Sequence, residues 1–449
     1  MHNNNRRQHL LRATSAGISL ASMLLAYTAV YSQVGPPAAA ELDPETLAPV
    51  RERYDQAIDS ALYTEAADAA KLYIGELLRN PNHERLEWGH ALERLGHAQH
   101  LSGDYDAAIE NYMLSIEVIE SETNRLDPLL VAPLHGLSRT LKDTEDPQLA
   151  VAAYKRLLHV QQVNHGLHTL ETGDTLNELS EIYFRLGDNQ RANALQQSYL
   201  SVYNSNYPGD NLQKLPALYS RADMQYKTGH MIDAQLSYRR IISMIERVDG
   251  TQSLYLLPAI YRLSELLQNN RIKDGIDGSL VARRYLRRAV YIAEKSDGAS
   301  NLVRADSYIA LGDYLSLRTG NRRAAMRYYY SAWQELVADY ALVEERHARF
   351  GNPTLINDLP PFATPAMRSL MLLSHLQTDD AFGRLIVRYD VDSNGRTLNI
   401  ELIEGDPTGN WDPIVVDHVD RFIFRPAFKD GEPAGFSNRL YEIKYTLED

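Results

Sequence analysis

From Val50 to about Ala348 apolar residues return every three or four positions, the period of a helix with one buried stripe, and short polar stretches interrupt them at regular distances. The stretch 179–192 contains the whole unit: an apolar-periodic helix end around Ser180, a turn at Gly187-Asp188-Asn189, and Ala192 on a returning helix. Gly96, Ser138, Ser180, Ala222 and Ser264 follow one another at intervals of forty-two residues, and Ala108, Ala150, Ala192 and Ala234 each stand twelve residues after the first four. Small side chains at both places let two helix backbones approach where larger ones would hold them apart. The pattern predicts stacked helical hairpins with a shared interior rather than one globular core. An atypical first hairpin, Val50 to Leu78, has Ala66 in register, and the third replaces the turn glycine by the stretch 144–147. In the sixth, alanine is delayed to Ala282, so the turn between Asn269 and Gly278 carries six extra residues. Gly312 and Ala324 restore the spacing in a seventh, where Tyr328 takes the core position that Tyr112 has in the second.

After Gly351 the periodicity changes to alternation. Residues 349–361 read as a linker, Pro365 to Gln377 as a short helix, and Leu385, Val387, Tyr389 and Val391 as the buried side of a strand. Asn394-Gly395 predicts a hairpin turn, with Leu398, Ile400 and Leu402 continuing the buried side. A helix from Asp412 to about Arg421 and a last strand from Arg439 to Leu447 complete a small α+β domain over 362–449. The fold class is therefore mainly α: a right-handed helical-hairpin solenoid of about seven hairpins over 50–348, with a small C-terminal α+β domain.

The recurring small residue, Gly-Asp-Tyr-like turn, alanine and aromatic resemble the tetratricopeptide repeat: Leu95-Gly96, Gly103-Asp104-Tyr105, Ala108 and Tyr112 in the second hairpin, and Ala222, Gly229, Ala234 and Tyr238 in the fifth. The forty-two-residue period is similar to the long repeats of kinesin light chain and its bacterial relatives. The stretches 383–395 and 424–433 resemble the C-terminal domain of TonB-type energy transducers. That resemblance implies contact with outer-membrane receptors by strand addition along the Arg439 to Leu447 edge. The chain departs from that family in having a repeat array where a long Pro-Lys/Pro-Glu spacer would stand, and in lacking the Ser and His pair in its N-terminal apolar segment, which holds Ser19 and Ser22 but no His.

Composition narrows the function. A formal charge of −13 without a basic cluster excludes nucleic acid as a partner, since binding phosphates needs concentrated Lys and Arg. The absence of cysteine excludes disulfides, thiolate metal sites, a Cys nucleophile and lipoprotein acylation. Arg6, Arg7 and Arg12 precede an uncharged run whose apolar centre, Ile18 to Tyr31, has the length of a signal-peptide core. Residues 1–32 are therefore expected to be a signal peptide or a membrane anchor and 33–49 a linker. The protein is expected in the periplasm, or anchored in the inner membrane and facing it, touching membrane only through that segment.

No catalytic pattern is present: Gly-x-Ser-x-Gly, a P-loop, His-Glu-x-x-His and the dinucleotide glycine pattern are all missing. An enzyme is not expected, nor a cofactor or a metal. His90, Glu93, His97 and His100 share one helix face and could hold a divalent ion, but they read better as solvated inner-face residues. Asp390, Asp392, Asn394, Gly395 and Glu401 satisfy the calcium-loop spacing, but strand-like flanks make the segment a hairpin turn. The repeat phase places His135, Arg139, Lys142, Asn177, Glu181, Tyr219, Asp223, Tyr226, Tyr261 and Glu265 on the inner groove, where they would contact an extended peptide. The resulting expectation is an exported, non-enzymatic adaptor of a bacterial cell envelope. Its partners would be envelope proteins or peptides, or an outer-membrane receptor; the alternative is a membrane-anchored TonB-type component with a part in transmembrane transport.

Overall fold

The computed structural model describes residues 44–79, 84–144, 146–269, 278–357, 382–405 and 412–446. The expected signal segment and the expected helix 365–377 lie outside them. The chain divides after Asn206 into two compact units, each built from the same helical pair.

The first unit contains α1 (Pro44–Asp59), α2 (Tyr63–Arg79), α3 (Arg85–Leu101), α4 (Tyr105–Glu122), α5 (Val131–Asp143), α6 (Pro147–His165), α7 (Leu170–Arg185) and α8 (Asn189–Asn206), each packed on its predecessor. Helix α1 begins inside the stretch read as a linker. Proline at a first helical position costs nothing, because the N–H it lacks would have no intrahelical partner. The register holds: Ser138, Ser180, Ala108, Ala150 and Ala192 are fully buried where paired helices meet. Sharp reversals between paired helices use a left-handed residue. Gly103 and Gly187 have φ of 84° and 77°, and the next amide bonds back to the helix it leaves, Asp104 N to Gln99 O at 2.9 Å and Asp188 N to Tyr183 O at 2.9 Å.

The second unit continues with α9 (Leu215–Lys227), α10 (Met231–Asp249), α11 (Leu256–Asn269), α12 (Gly278–Lys295), α13 (Asn301–Tyr314) and α14 (Arg322–Ala338). Ala222, Ala234 and Ala282 are fully buried and Ser264 nearly so, which accounts for the delayed alanine of the sixth hairpin. The seventh hairpin corrects the expected register. Ala325, not Ala324, is buried, and Tyr329, not Tyr328, is the core aromatic over Gly312. A π-helical turn, Leu315–Thr319, follows α13 and inserts one residue, so every later position moves by one.

Beyond α15 (Val343–Phe350), β1 (Thr354–Leu355) pairs with β4 (Phe424–Arg425), and β5 (Ala427–Lys429) pairs with β6 (Glu432–Ala434). An antiparallel sheet has the order β3 (Thr397–Glu404), β2 (Phe382–Val391), β7 (Phe436–Thr446), and α16 (Asp412–Asp420) packs on its β2 and β3 strands. Leu385, Val387, Tyr389 and Val391 are buried as the alternation requires. On β3 the phase breaks: Thr397 is buried and Leu398 is 47% exposed, the reverse of the expected pattern. A bulge explains it. Two residues of β3, Asn399 and Ile400, oppose one of β2, Tyr389, between Arg388↔Glu401 and Asp390↔Leu398, with Asn399 at φ 50°, and the extra residue sends the side chains before it to the opposite face.

The calcium-spaced segment is a hairpin. The Asp392 carboxylate accepts from the amides of Asn394 at 2.9 Å and Arg396 at 2.7 Å, and Gly395 lies at φ 75°. One expectation fails outright. Among the described residues no helix is long and apolar enough to cross a membrane, so the reading of a part in transmembrane transport is withdrawn.

Candidate functional site: the first-helix faces of the repeats

In the first unit, α3, α5 and α7 are the first helices of their hairpins, and the residue after each small core position faces away from the return helix. His97, Arg139 and Glu181 occupy those places. His135 and Arg139 are exposed. Lys142 is neutralised more than the sequence suggested, because its ammonium lies 2.5 Å from the Glu178 carboxylate of α7, and Arg185 donates back to the Lys142 carbonyl at 3.3 Å. Asn177 accepts from Gln196 Nε2 at 2.8 Å. The strip expected to be cationic thus carries acids as well: Glu178 and Asp174, whose carboxyl is pushed up by burial and by the neighbouring Glu178. Glu178 stands one residue after Asn177, off the positions that the repeat phase selects, so spacing alone does not point to it.

The histidine face is more than solvated surface. His97 Nδ1 lies 3.1 Å from the Tyr54 hydroxyl of α1, and His100 Nδ1 lies 3.1 Å from Thr140 Oγ1 of α5, so each ring bridges neighbouring hairpins. Among the described residues no group of three His, Cys, Asp or Glu is placed to hold a metal ion. Burial pulls both imidazoles below their usual range; beside His100 the Asp143 carboxylate opposes the shift, and Arg139 and Lys142 reinforce it. Both groups bind protons more readily when the chain is unfolded. Their contribution is therefore complete above an unfolded pKa of about 6.5 and is lost as pH falls from there toward the folded values. The melting temperature is expected to fall between about pH 7.5 and about pH 5.5, and to fall less in a His97→Gln/His100→Gln double variant; differential scanning fluorimetry at the two pH values checks this. The variant comparison is needed because burial also raises the Glu93 carboxyl, which acts in the opposite direction.

In the second unit the corresponding positions carry acids in succession: Asp223 on α9, Glu265 on α11 and Asp313 on α13. Around the first two stand Tyr219, Tyr226 and Tyr261, all half-buried. Tyr219 donates its hydroxyl to the Tyr255 carbonyl at 3.5 Å, and burial pushes its pKa up to about 12. Tyr226 is raised by burial and by the Glu265 carboxylate, to which it is hydrogen-bonded. Asp223 accepts from the buried Tyr238 hydroxyl of α10, and Arg262 approaches it at 3.9 Å. The structure therefore gathers the five second-unit residues of the expected groove on α9 and α11.

Asp313 and its partners were missed. Tyr329 donates to Asp313 Oδ1 at 2.9 Å, and Arg425 of β4 meets both carboxylate oxygens, Nε to Oδ1 and Nη2 to Oδ2, each at 3.2 Å. Asp313 stands directly after Gly312, so repeat phase alone would have placed it on the face; nothing local announces that Arg425 reaches it.

The tetratricopeptide repeat family matches residues 89–122, which are α3 and α4. No curated protein matches the chain. Among solved structures, TPR-like repeats of Podosopora anserina match at 16% identity and TM-score 0.40, covering 48% of this chain and 99% of that one. A signal-transduction ATPase of Pyrococcus horikoshii with a tetratricopeptide repeat sensor matches at 13% and 0.46, covering 66% and 42%. The C-terminal part of a TPR repeat-containing protein of Cytophaga hutchinsonii matches at 11% and 0.43, covering 66% and 98%. At such scores the repeat assignment rests on the family match and on the buried small residues described above. The chain carries a solenoid of tetratricopeptide-like repeats, an arrangement that in general mediates protein–protein interaction.

Proposed function

We propose that this protein is an exported adaptor of a bacterial cell envelope, holding a protein or peptide partner on the first-helix faces of its repeats and a second partner on its C-terminal sheet. The observation that carries the reading is the cluster of Tyr219, Tyr226 and Tyr261 beside Asp223 and Glu265: half-buried aromatic rings with polar tips at low rotamer cost suit peptide recognition. Export is supported by the Arg-flanked apolar run of residues 1–32, to which any membrane contact is confined. The second partner is supported by the sheet order, in which β7 is an outer strand with Leu440 64% exposed, and by the TonB-like motifs of 383–395 and 424–433. An envelope protein adding a strand to that edge, such as an outer-membrane receptor, is the partner that chemistry fits.

Gentle crosslinking in cells, followed by capture of the full chain, is expected to recover an envelope protein whose yield drops at least tenfold in a Tyr219→Ala/Tyr226→Ala variant. Equal recovery with the variant would overturn the groove assignment. Mass spectrometry of the N-terminus tests export separately: a chain beginning near Gln33 or Glu41 supports it, and a chain retaining Met1 in the cytoplasmic fraction overturns it.

A further inference from the structure

The second unit contains twice the same pair of a buried tyrosine and a partly exposed aspartate. In the seventh hairpin Tyr329 donates to Asp313, and in the fifth Tyr238 donates to Asp223. The pairs occupy equivalent places once the single residue inserted by the π-turn is allowed for: the tyrosine follows the aspartate by fifteen residues in one hairpin and sixteen in the other. Their occupancy differs. Asp313 is filled by an arginine that arrives from a distant strand. The Arg425 guanidinium is bidentate on the carboxylate, donates to the Arg349 carbonyl at 3.4 Å, lies 5.9 Å from the centre of the Phe350 ring and is only 12% exposed. Three residues further on, Phe428 stacks on Trp333 with centroids 5.3 Å apart. A short segment carrying an arginine and an apolar ring is thus seated on the last repeat.

Asp223 has no such guest. Among the described residues its ion-pair partner is Arg262, 3.9 Å away, 54% exposed and shared with Glu265 at 3.5 Å. An exposed ion pair at that distance is worth little and is easily exchanged, whereas a sheltered, two-pronged guanidinium–carboxylate contact is among the stronger polar interactions a protein makes. Glu265 adds a second negative charge, and Tyr219 and Tyr226 supply aromatic surface. We infer that the fifth and sixth hairpins form a docking site for a partner segment presenting an arginine beside an aromatic residue, received by Asp223 and Glu265 as Arg425 is received by Asp313. The inference rests on the proposed binding role of the repeat face and names the chemistry of the segment it takes.

The probe is a fluorescent peptide with the sequence of residues 421–430, measured by anisotropy against the full chain. Saturable binding is expected. It should weaken at least tenfold with Asp223→Asn protein, and equally when glutamine replaces the second arginine of the peptide, while Asp223→Glu protein binds nearly as wild type. Asparagine keeps an acceptor for Tyr238, and an unchanged melting temperature verifies that the Asp223→Asn fold is intact. No binding, binding indifferent to Asp223→Asn, or equal binding of an all-acidic peptide would overturn the assignment. An envelope partner that is lost with Tyr219→Ala/Tyr226→Ala but retained by Asp223→Asn would overturn the arginine site alone and leave the groove reading standing.

Discussion

Asp313→Ala is expected to destabilise the second unit by about 3 kcal/mol, because it leaves the Arg425 guanidinium among Phe350, the Arg349 backbone and the last repeat without its counter-charge. The Asp313 and Arg425 side chains are 23% and 12% exposed, so water can repay only part of that loss. The pair itself is not expected to be a large net source of stability. Burial pushes the Asp313 carboxyl up even with Arg425 and Tyr329 pulling it down, so desolvation outweighs the attraction on the carboxylate side. A Asp313→Ala/Arg425→Met double variant should therefore recover most of the stability that the single change removes. Urea unfolding of the full chain followed by tryptophan fluorescence checks this, since Trp333 stacks on Phe428 three residues beyond Arg425 and reports loss of that contact. Equal unfolding midpoints for wild type and Asp313→Ala would show that the carboxylate does not hold the arginine.

Gly136→Ala gives the second large effect, and two terms of opposite sign decide it. Within helix α5 alanine is intrinsically better than glycine by about 1 kcal/mol. At this position, however, an added Cβ would sit 2.2 Å from Cζ and 2.5 Å from the hydroxyl oxygen of Tyr112, a ring 1% exposed whose inner edge already lies against Gly96. The ring has nowhere to move, and overpacking a tight core costs about 1–3 kcal/mol, so the substitution should be net destabilising. Gly75→Ala in α2 is the matched control: nothing lies within 4 Å of its added Cβ, and only the propensity gain of about 1 kcal/mol remains. Thermal melts of the two variants should move in opposite directions.

Much of this architecture was legible because a repeat writes its packing into spacing. The returning small residues specify which helices approach, and Gly103, Gly187 and Gly229 mark where the chain reverses. The residues expected on the groove were chosen by the same phase, which is why Asp223, Tyr219 and Tyr226 fall together on α9. Phase arguments fail where one residue is gained. The π-turn at Leu315–Thr319 moves the seventh core aromatic from Tyr328 to Tyr329, and the bulge at Asn399 moves Leu398 to the outer face of its strand. Neither insertion changes local composition enough to be seen.

The sequence by itself determined the hairpins and their stacking partners, because those depend on side-chain size and periodicity between neighbours. Tertiary structure alone decided that Lys142 is neutralised by Glu178, that His97 and His100 tie adjacent hairpins together, and that Arg425 crosses 112 residues of chain to fill Asp313. Such pairings are matched by charge and shape after the backbone has brought them near, and no period along the chain records them.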